Sequence, residues 1–208
     1  MKRGREEIKD GRKVIQGDLW PLRDSVCCRS SYDFRAADVA LKRCRKFDTV
    51  IQAGGCVGVW PRYLRQFFSK VYTFEPSSEN YELMLLNLGG MDIVKVHAAL
   101  SDRVGRCSMK LNPANCGDDQ TVEGDAVDTV TIDSLGVDPD LIYLDIQGDE
   151  YHAIKGTVET LKRCSPVIAI EVDNKLARIK GDAVGLLKEL GYVQFGRVHQ
   201  DYLFERLI

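Results

Sequence analysis

Nowhere in the 208 residues is there an apolar run approaching the roughly 20 residues that a bilayer-spanning helix requires. The opening MKRGREEIKDGRK is charged and no apolar stretch follows it, so no secretory signal is expected at this end. Charge of one sign is also missing: Lys plus Arg number 29 and Asp plus Glu 31, a formal net charge of −2. That balance exerts no global pull towards nucleic acid or an anionic membrane. There are seven cysteines but no CxxC pair, and only Cys27 and Cys28 are adjacent. Such scattered thiols exclude a zinc ribbon and argue against a disulfide scaffold, and they suit a reducing, cytoplasmic setting. Internal repeats and low-complexity segments are absent too. What is left, at 44% hydrophobic and 29% charged residues, is the composition of a globular domain.

Residues 1–30 are charged and irregular, with Lys13-Val14-Ile15 and the Leu19-Trp20-Pro21 turn as their hydrophobic punctuation. Tyr32, Ala36, Val39 and Leu41 then form a helical stripe running to a basic cluster at 42–46. Basic residues in a last turn suit the negative end of a helix dipole; a nucleic-acid patch is the alternative reading. From residue 49 onward strands and helices alternate. Strands are expected at 49–51, 71–74, 93–98, 127–132, 141–144 and 167–172, and an excursion strand near 107–111 within a turn-rich 101–126. Helices are expected at 59–68, from Ser77 or Ser78 to Leu88, after Asp149 with Tyr151, Ile154, Val158 and Leu161 on one face, and at 183–190. The chain finishes on two strands, 192–198 and 202–207, with no helix between them. This order predicts a doubly wound α/β fold: a seven-stranded, mostly parallel sheet with an antiparallel edge strand.

Three segments carry candidate chemistry. The first strand runs into Gly54, Gly55 and Gly58, residues that let a backbone turn sharply and approach a ligand closely. The following helix turns its free N–H groups towards the same place. The spacing is G-G-x-x-G, not the GxGxxG of dinucleotide-binding proteins, and this disfavours an NAD-dependent dehydrogenase. The second strand ends at Glu75, where a carboxylate can accept hydrogen bonds from both hydroxyls of a ribose. The buried strand at 141–144 ends at Asp145, on the edge where open α/β sheets bind ligands. A charge there is costly to desolvate without a purpose. Gly148 permits a turn after it, and Asp149 and Glu150 either favour the next helix by charge–dipole attraction or take part in chemistry.

VIQAGGCVG, VYTFEPSSEN and DLIYLDIQGDE, in that order, resemble the FkbM-type methyltransferases, a class I S-adenosylmethionine-dependent family. The family patterns are V-D-V-G-A-N-x-G, F-E-P-x-x-x-N and D-x-I-K-I-D-V-E-G-x-E. Further similar pieces are Ala98 to Asp102, Val127 to Leu135, and Pro166 to Glu171. The resemblance runs from Phe47 to the C terminus, so the expected division is an N-terminal extension, 1–46, packing on a methyltransferase domain, 47–208.

The resemblance implies S-adenosylmethionine as cofactor. Gln52, Ala53, Gly54, Gly55, Cys56 and Gly58 would surround its methionine part. Glu75 would hold the ribose, with Pro76 and Asn80 beside it, and Ser101 and Asp102 would lie near the adenine. Asp145 would sit by the transferred methyl group. As catalytic groups we expect Asp145, Glu150 and His152, any of which could take a proton from an alcohol acceptor. His97 and His199 read as packing or surface histidines. Four residues depart from the family: Gln52 for Asp, Cys56 for Asn, Tyr143 for Lys and Gln147 for Glu. The expected function is O-methylation of a small molecule or sugar, with no nucleic-acid or membrane partner. The alternative is a catalytically weak or inactive cofactor-binding module. A magnesium site formed by Asp145 with Asp173 and Asn174 is a further possibility, on the analogy of catechol-type enzymes. Neither the acceptor nor the oligomeric state is written in the sequence.

Overall fold

The computed structural model describes residues 19–21, 32–173 and 180–207, together with the backbone of the short strands Lys2–Arg3, Ile8–Lys9 and Arg12–Lys13. Val14, Ile15, Cys27, Cys28 and Asn174 lie outside these residues.

Strands β1 (Thr49–Ala53), β2 (Lys70–Phe74) and β3 (Val94–Val96) alternate with helices α2 (Val59–Leu64) and α3 (Ser78–Asn87); helix α1 (Arg35–Leu41) precedes them. The excursion holds β4 (Ala99–Leu100), β5 (Gly105–Lys110) and β6 (Gln120–Val130). Then come β7 (Leu141–Leu144), α4 (Glu150–Lys155), α5 (Val158–Cys164), β8 (Val167–Glu171), α6 (Ala183–Glu189), β9 (Tyr192–Val198) and β10 (Asp201–Arg206).

Seven strands form the main sheet in the order β9-β10-β8-β7-β1-β2-β3. β8, β7, β1, β2 and β3 run parallel, while β10 is antiparallel to both β8 and β9. The doubly wound α/β sheet expected from the sequence is therefore present. Its antiparallel strand comes from the C-terminal hairpin and lies one place in from the edge, with β9 outermost.

The central strands are apolar on both faces because helices cover both. In β7, Leu141 and Tyr143 face one core with Val50, Ala169 and Leu203, against Ala37 and Ala40 of α1, Leu64 of α2 and Met84 of α3. Ile142 and Leu144 face the other core with Ile51, Ile168 and Ile170, against Ile154 of α4, Leu161 of α5 and Leu187 of α6. These residues alternate with the period of two that a strand imposes.

Two elements differ from expectation. The helix after Asp149 is broken at Gly156 and Thr157 into α4 and α5. A Cβ on Gly156 would lie 2.1 Å from the Ser101 carbonyl oxygen, so the break lets this backbone press against the end of β4. β6 also extends back to Gln120, through residues that read as turns. It pairs with β5 antiparallel and β4 parallel, with a register shift between Val122 and Val127. Most of β5 and the first half of β6 are half or fully exposed, so no apolar alternation marks them. Among the described residues no helix is long and apolar enough to cross a membrane.

Candidate active site

Register decides which residues meet at the carboxyl edge of the sheet. Phe74 is level with Val96 and with Ala53, Ala53 with Leu144, and Leu144 with Ile170. The next residues along, Glu75, Gly54, Asp145 and Glu171, therefore fall in one row across the strand tips, and Glu171 is itself paired with Asp201. Backbone bonds stitch the row together. Gly54 N–H donates to Phe74 O at 3.1 Å, Asp145 N–H to Ala53 O at 3.1 Å, and Glu75 N–H to Val96 O at 3.1 Å. Gly54 has φ +83°, and a Cβ there would lie 1.8 Å from the Asp145 carbonyl oxygen, so only glycine fits this crossing.

Above the row is a cavity that opens to solvent. Its floor includes Ala53, Gly54, Cys56, Glu75, Pro76 and Asp145. Its walls include Tyr32, Trp60, Leu100, Met109, Cys116, Asp119, Gln147 and Asp149. The excursion thus roofs a pocket whose base is the strand edge.

Glu75 is buried at the tip of β2, and its two oxygens accept backbone N–H groups. Oε2 receives Cys56 N–H at 2.7 Å and Oε1 receives Ser77 N–H at 2.8 Å. Burial nevertheless pushes its pKa up to about 7, against those two bonds. Cys56 has φ +44°, in the left-handed region that asparagine, the family's residue at this place, tolerates better than most side chains. Gln52 is fully buried and lies behind the glycine turn. Its Nε2 donates to the carbonyls of Ala53 and Gly54, both at 3.0 Å, and its Oε1 accepts from Thr73 Oγ1 at 2.6 Å. An aspartate could not make those two donations. Gly55 and Gly58 shape the turn without lining the cavity. Asn80 ties α3 to the roof through Nδ2 to Cys116 O at 3.1 Å.

At the other end four acids gather. Asp145 and Glu171 share a hydrogen bond, and Gln147 Nε2 donates to both, at 3.1 Å to Asp145 Oδ1 and 3.1 Å to Glu171 Oε2. Burial, then the Asp145 charge, drives Glu171 far above the usual carboxylate range. Burial also raises Asp145, so the pair holds one proton between two oxygens. Burial lifts Asp201 to about 6; its Oδ1 accepts the Tyr143 hydroxyl at 3.1 Å. Glu150 is pushed by burial to about 7 and accepts the N–H groups of Ile146, at 3.0 Å, and Gly148, at 3.4 Å. Gln147 itself has φ +55° and Gly148 φ +101°, a strained turn of the kind that collects at functional sites.

Eight expected site residues do not line the cavity: Gln52, Gly55, Gly58 and Asn80, which shape or brace its base, and Ser101, Asp102, Glu150 and His152. Asp102 pairs with Lys155 at 2.9 Å and lies 3.7 Å from His152 Nδ1, and Ser101 follows Leu100 at the end of β4. His152 thus faces Asp102, and Glu150 braces the turn from beneath. Among the described residues, no group of three or more His, Cys, Asp or Glu is arranged to hold a metal ion.

Sequence reasoning did not single out Tyr32, Trp60, Cys116 or Glu171 as site residues. For Glu171 the signal was present, because it ends a buried parallel strand just as Asp145 does. Trp60 sits in the first turn after the glycine loop and packs on Tyr143 with ring centroids 4.7 Å apart. Nothing in its spacing distinguishes it from a core residue.

A sheet of this order, with a glycine turn after its first strand and an acid after its second, defines the class I S-adenosylmethionine-dependent methyltransferase fold. Residues 52–200 match the methyltransferase FkbM domain, and the chain belongs to that family. A comparison with curated proteins gives no match. Among solved structures, methyltransferase FkbM from Methylobacillus flagellatus is 18% identical with a TM-score of 0.55. The match covers 76% of the present chain, which spans only 43% of that protein. A Streptococcus mutans protein described as a methyltransferase, solved in complex with S-adenosylhomocysteine, is 15% identical with a TM-score of 0.53. That match covers 82% of this chain and 94% of the other.

Proposed function

We propose that the cavity binds S-adenosylmethionine and that the protein methylates a hydroxyl group of a small molecule or sugar. The observation that carries this reading is Glu75: a buried carboxylate at the tip of β2, fixed by two backbone N–H groups, on the floor of the cavity that Asp145 also lines.

The residues fit such a cofactor in three respects. Beyond its two backbone N–H groups, the Glu75 carboxylate keeps acceptor capacity for a ribose hydroxyl. Asp149 lines the cavity and its buried Oδ2 has no hydrogen-bond partner among the described residues, an acceptor that a ligand N–H or O–H would satisfy. The acids at Asp145, Glu171 and Asp201 make this end of the cavity favourable for a cation. When bound, the cofactor would supply an electrophilic methyl group on a positively charged sulfur.

The chain's own residues then have separate tasks. Gly54 and Cys56 give the ligand's tail a close backbone surface. Glu75 orients the nucleoside. Asp145, held by Gln147, takes the proton from the acceptor hydroxyl, and the aromatic pair Tyr32 and Trp60 excludes water beside it. His152, facing Asp102, and Glu150, facing the backbone, serve as supports in this arrangement. In the division we favour, residues 47–208 form the methyltransferase domain. Residues 1–46 are an extension that lends Tyr32 to the cavity wall.

Calorimetry with S-adenosylhomocysteine and with NADH tests the ligand: the first binds and the second does not. Tritium transfer from labelled S-adenosylmethionine to candidate acceptors tests the reaction, and Asp145→Ala abolishes it. Normal turnover by that variant would move the proton acceptor elsewhere.

A further inference from the structure

Two thiols face each other across the wall of the cavity. Cys56 Sγ, in the glycine turn, and Cys116 Sγ, at the start of the 3₁₀ turn Cys116–Asp118, are 3.6 Å apart. Both residues line the cavity; Cys116 is otherwise buried and Cys56 is partly exposed. They come from separate layers. Cys56 is anchored to the strand edge through its N–H bond to Glu75, and Cys116 to the roof and α3 through its carbonyl bond to Asn80. The family's residue at position 56 is asparagine, which suits the left-handed backbone and carries no sulfur. This chain has a thiol there, and a second thiol meets it from the excursion.

We propose that Cys56 and Cys116 form a reversible disulfide that closes the cavity. A hydroperoxide is the oxidant. Its oxygen is attacked by Cys56 sulfur, the more exposed of the two, giving a sulfenic acid and, from hydrogen peroxide, one water. Cys116 sulfur then attacks the sulfenic sulfur, the S–S bond forms, and the hydroxyl leaves with the Cys116 proton as a second water. Two thiols and one peroxide become one disulfide and two waters. Reduction by a dithiol returns both thiols.

A disulfide needs its sulfurs about 2 Å apart, so the roof must move onto the glycine turn by roughly the difference from 3.6 Å. That movement narrows the space between Glu75 and Gly117, two lining residues between which a ligand on Glu75 would lie. The effect on ligand affinity rests on the cofactor reading above; formation of the bond does not.

The test uses the full chain, treated with hydrogen peroxide, alkylated, digested and analysed by mass spectrometry, with S-adenosylhomocysteine binding measured before and after. The expected result is a linked Cys56–Cys116 peptide and an affinity loss of about tenfold or more, both reversed by dithiothreitol. Cys56→Asn and Cys116→Ser, the first chosen because it restores the family's residue, each remove the peroxide response. The proposal is overturned if both thiols remain alkylatable after peroxide, or pair with other cysteines. It is equally overturned if the bond forms and affinity is unchanged, or if either folded variant keeps the response. Failure of the reduced protein to bind S-adenosylhomocysteine would remove the cofactor reading, while the peptide map would still decide whether the disulfide exists.

Discussion

The same sheet edge carries two acidic sites, one buried and one half-buried, that are stabilised in different ways. At the tip of β2 a single carboxylate, Glu75, is held by two backbone N–H groups. At the tips of β7 and β8 several carboxylates crowd together and are held by a side-chain amide, a phenol and a shared proton. Backbone donors are fixed by the fold, so the first site is an anchor whose geometry is set before any ligand arrives. Side-chain donors and shared protons respond to pH and to a nearby cation, so the second site is adjustable. In the proposed function, binding and proton handling are thus separated along one row of residues.

The largest effect should come from the hinge between the two sites. Gly54→Ala forces a Cβ into the Asp145 carbonyl at positive φ, and we expect a loss of more than ~3 kcal/mol in chemical denaturation. A variant of wild-type stability would mean that the two sites are not locked together here. Next, Glu75→Ala should lower S-adenosylhomocysteine affinity about a hundredfold by calorimetry, since two or more charge-assisted hydrogen bonds are at stake. Asp145→Asn should change that affinity much less and reduce methyl transfer instead; equal losses in binding would erase the division of labour.

Two smaller effects would sharpen the contrast. Gln147→Glu removes both N–H donations and adds a third carboxyl between Asp145 and Glu171. It should destabilise the protein by ~1–3 kcal/mol at pH 8, and by less near pH 5, where the new group is protonated. In the wild type, Glu75 and Glu150 stand at about 7, above the ordinary glutamate value of 4.5. Between those values the folded state binds more protons than the unfolded state, so stability falls as pH rises from 4.5 towards 7. The slope is roughly 1 kcal/mol per pH unit for each extra proton retained. Denaturation midpoints that rise over this window would contradict the burial of these acids.

Much of this arrangement was legible in the sequence because it depends on local rules. Short apolar runs ending in glycine or an acid located β1, β2 and β7, and the final pair of strands located the antiparallel member of the sheet. What was not legible depends on contacts between distant segments. β6 is half or fully exposed over its first half, so its pairing with β5 left no periodic trace. The break between α4 and α5 follows from the approach of Gly156 to Ser101, which no window of sequence contains. Asp102, expected at the site from the resemblance, meets Lys155 and His152 in the fold, contacts that no local pattern announces. Gln52 looked like a loss of charge, and in the fold it is a three-bond brace for the glycine turn.

The level alignment of Gly54, Glu75, Asp145 and Glu171 has a consequence for how such a chain can change. Each strand delivers its functional side chain by counting residues from a fixed pairing. Removing or adding one residue in any of β1, β2, β7 or β8 would turn that side chain to the opposite face and shift it by about 3.3 Å. Strand length is therefore under the same restraint as residue identity, and variation in this protein is channelled into the segments after the tips.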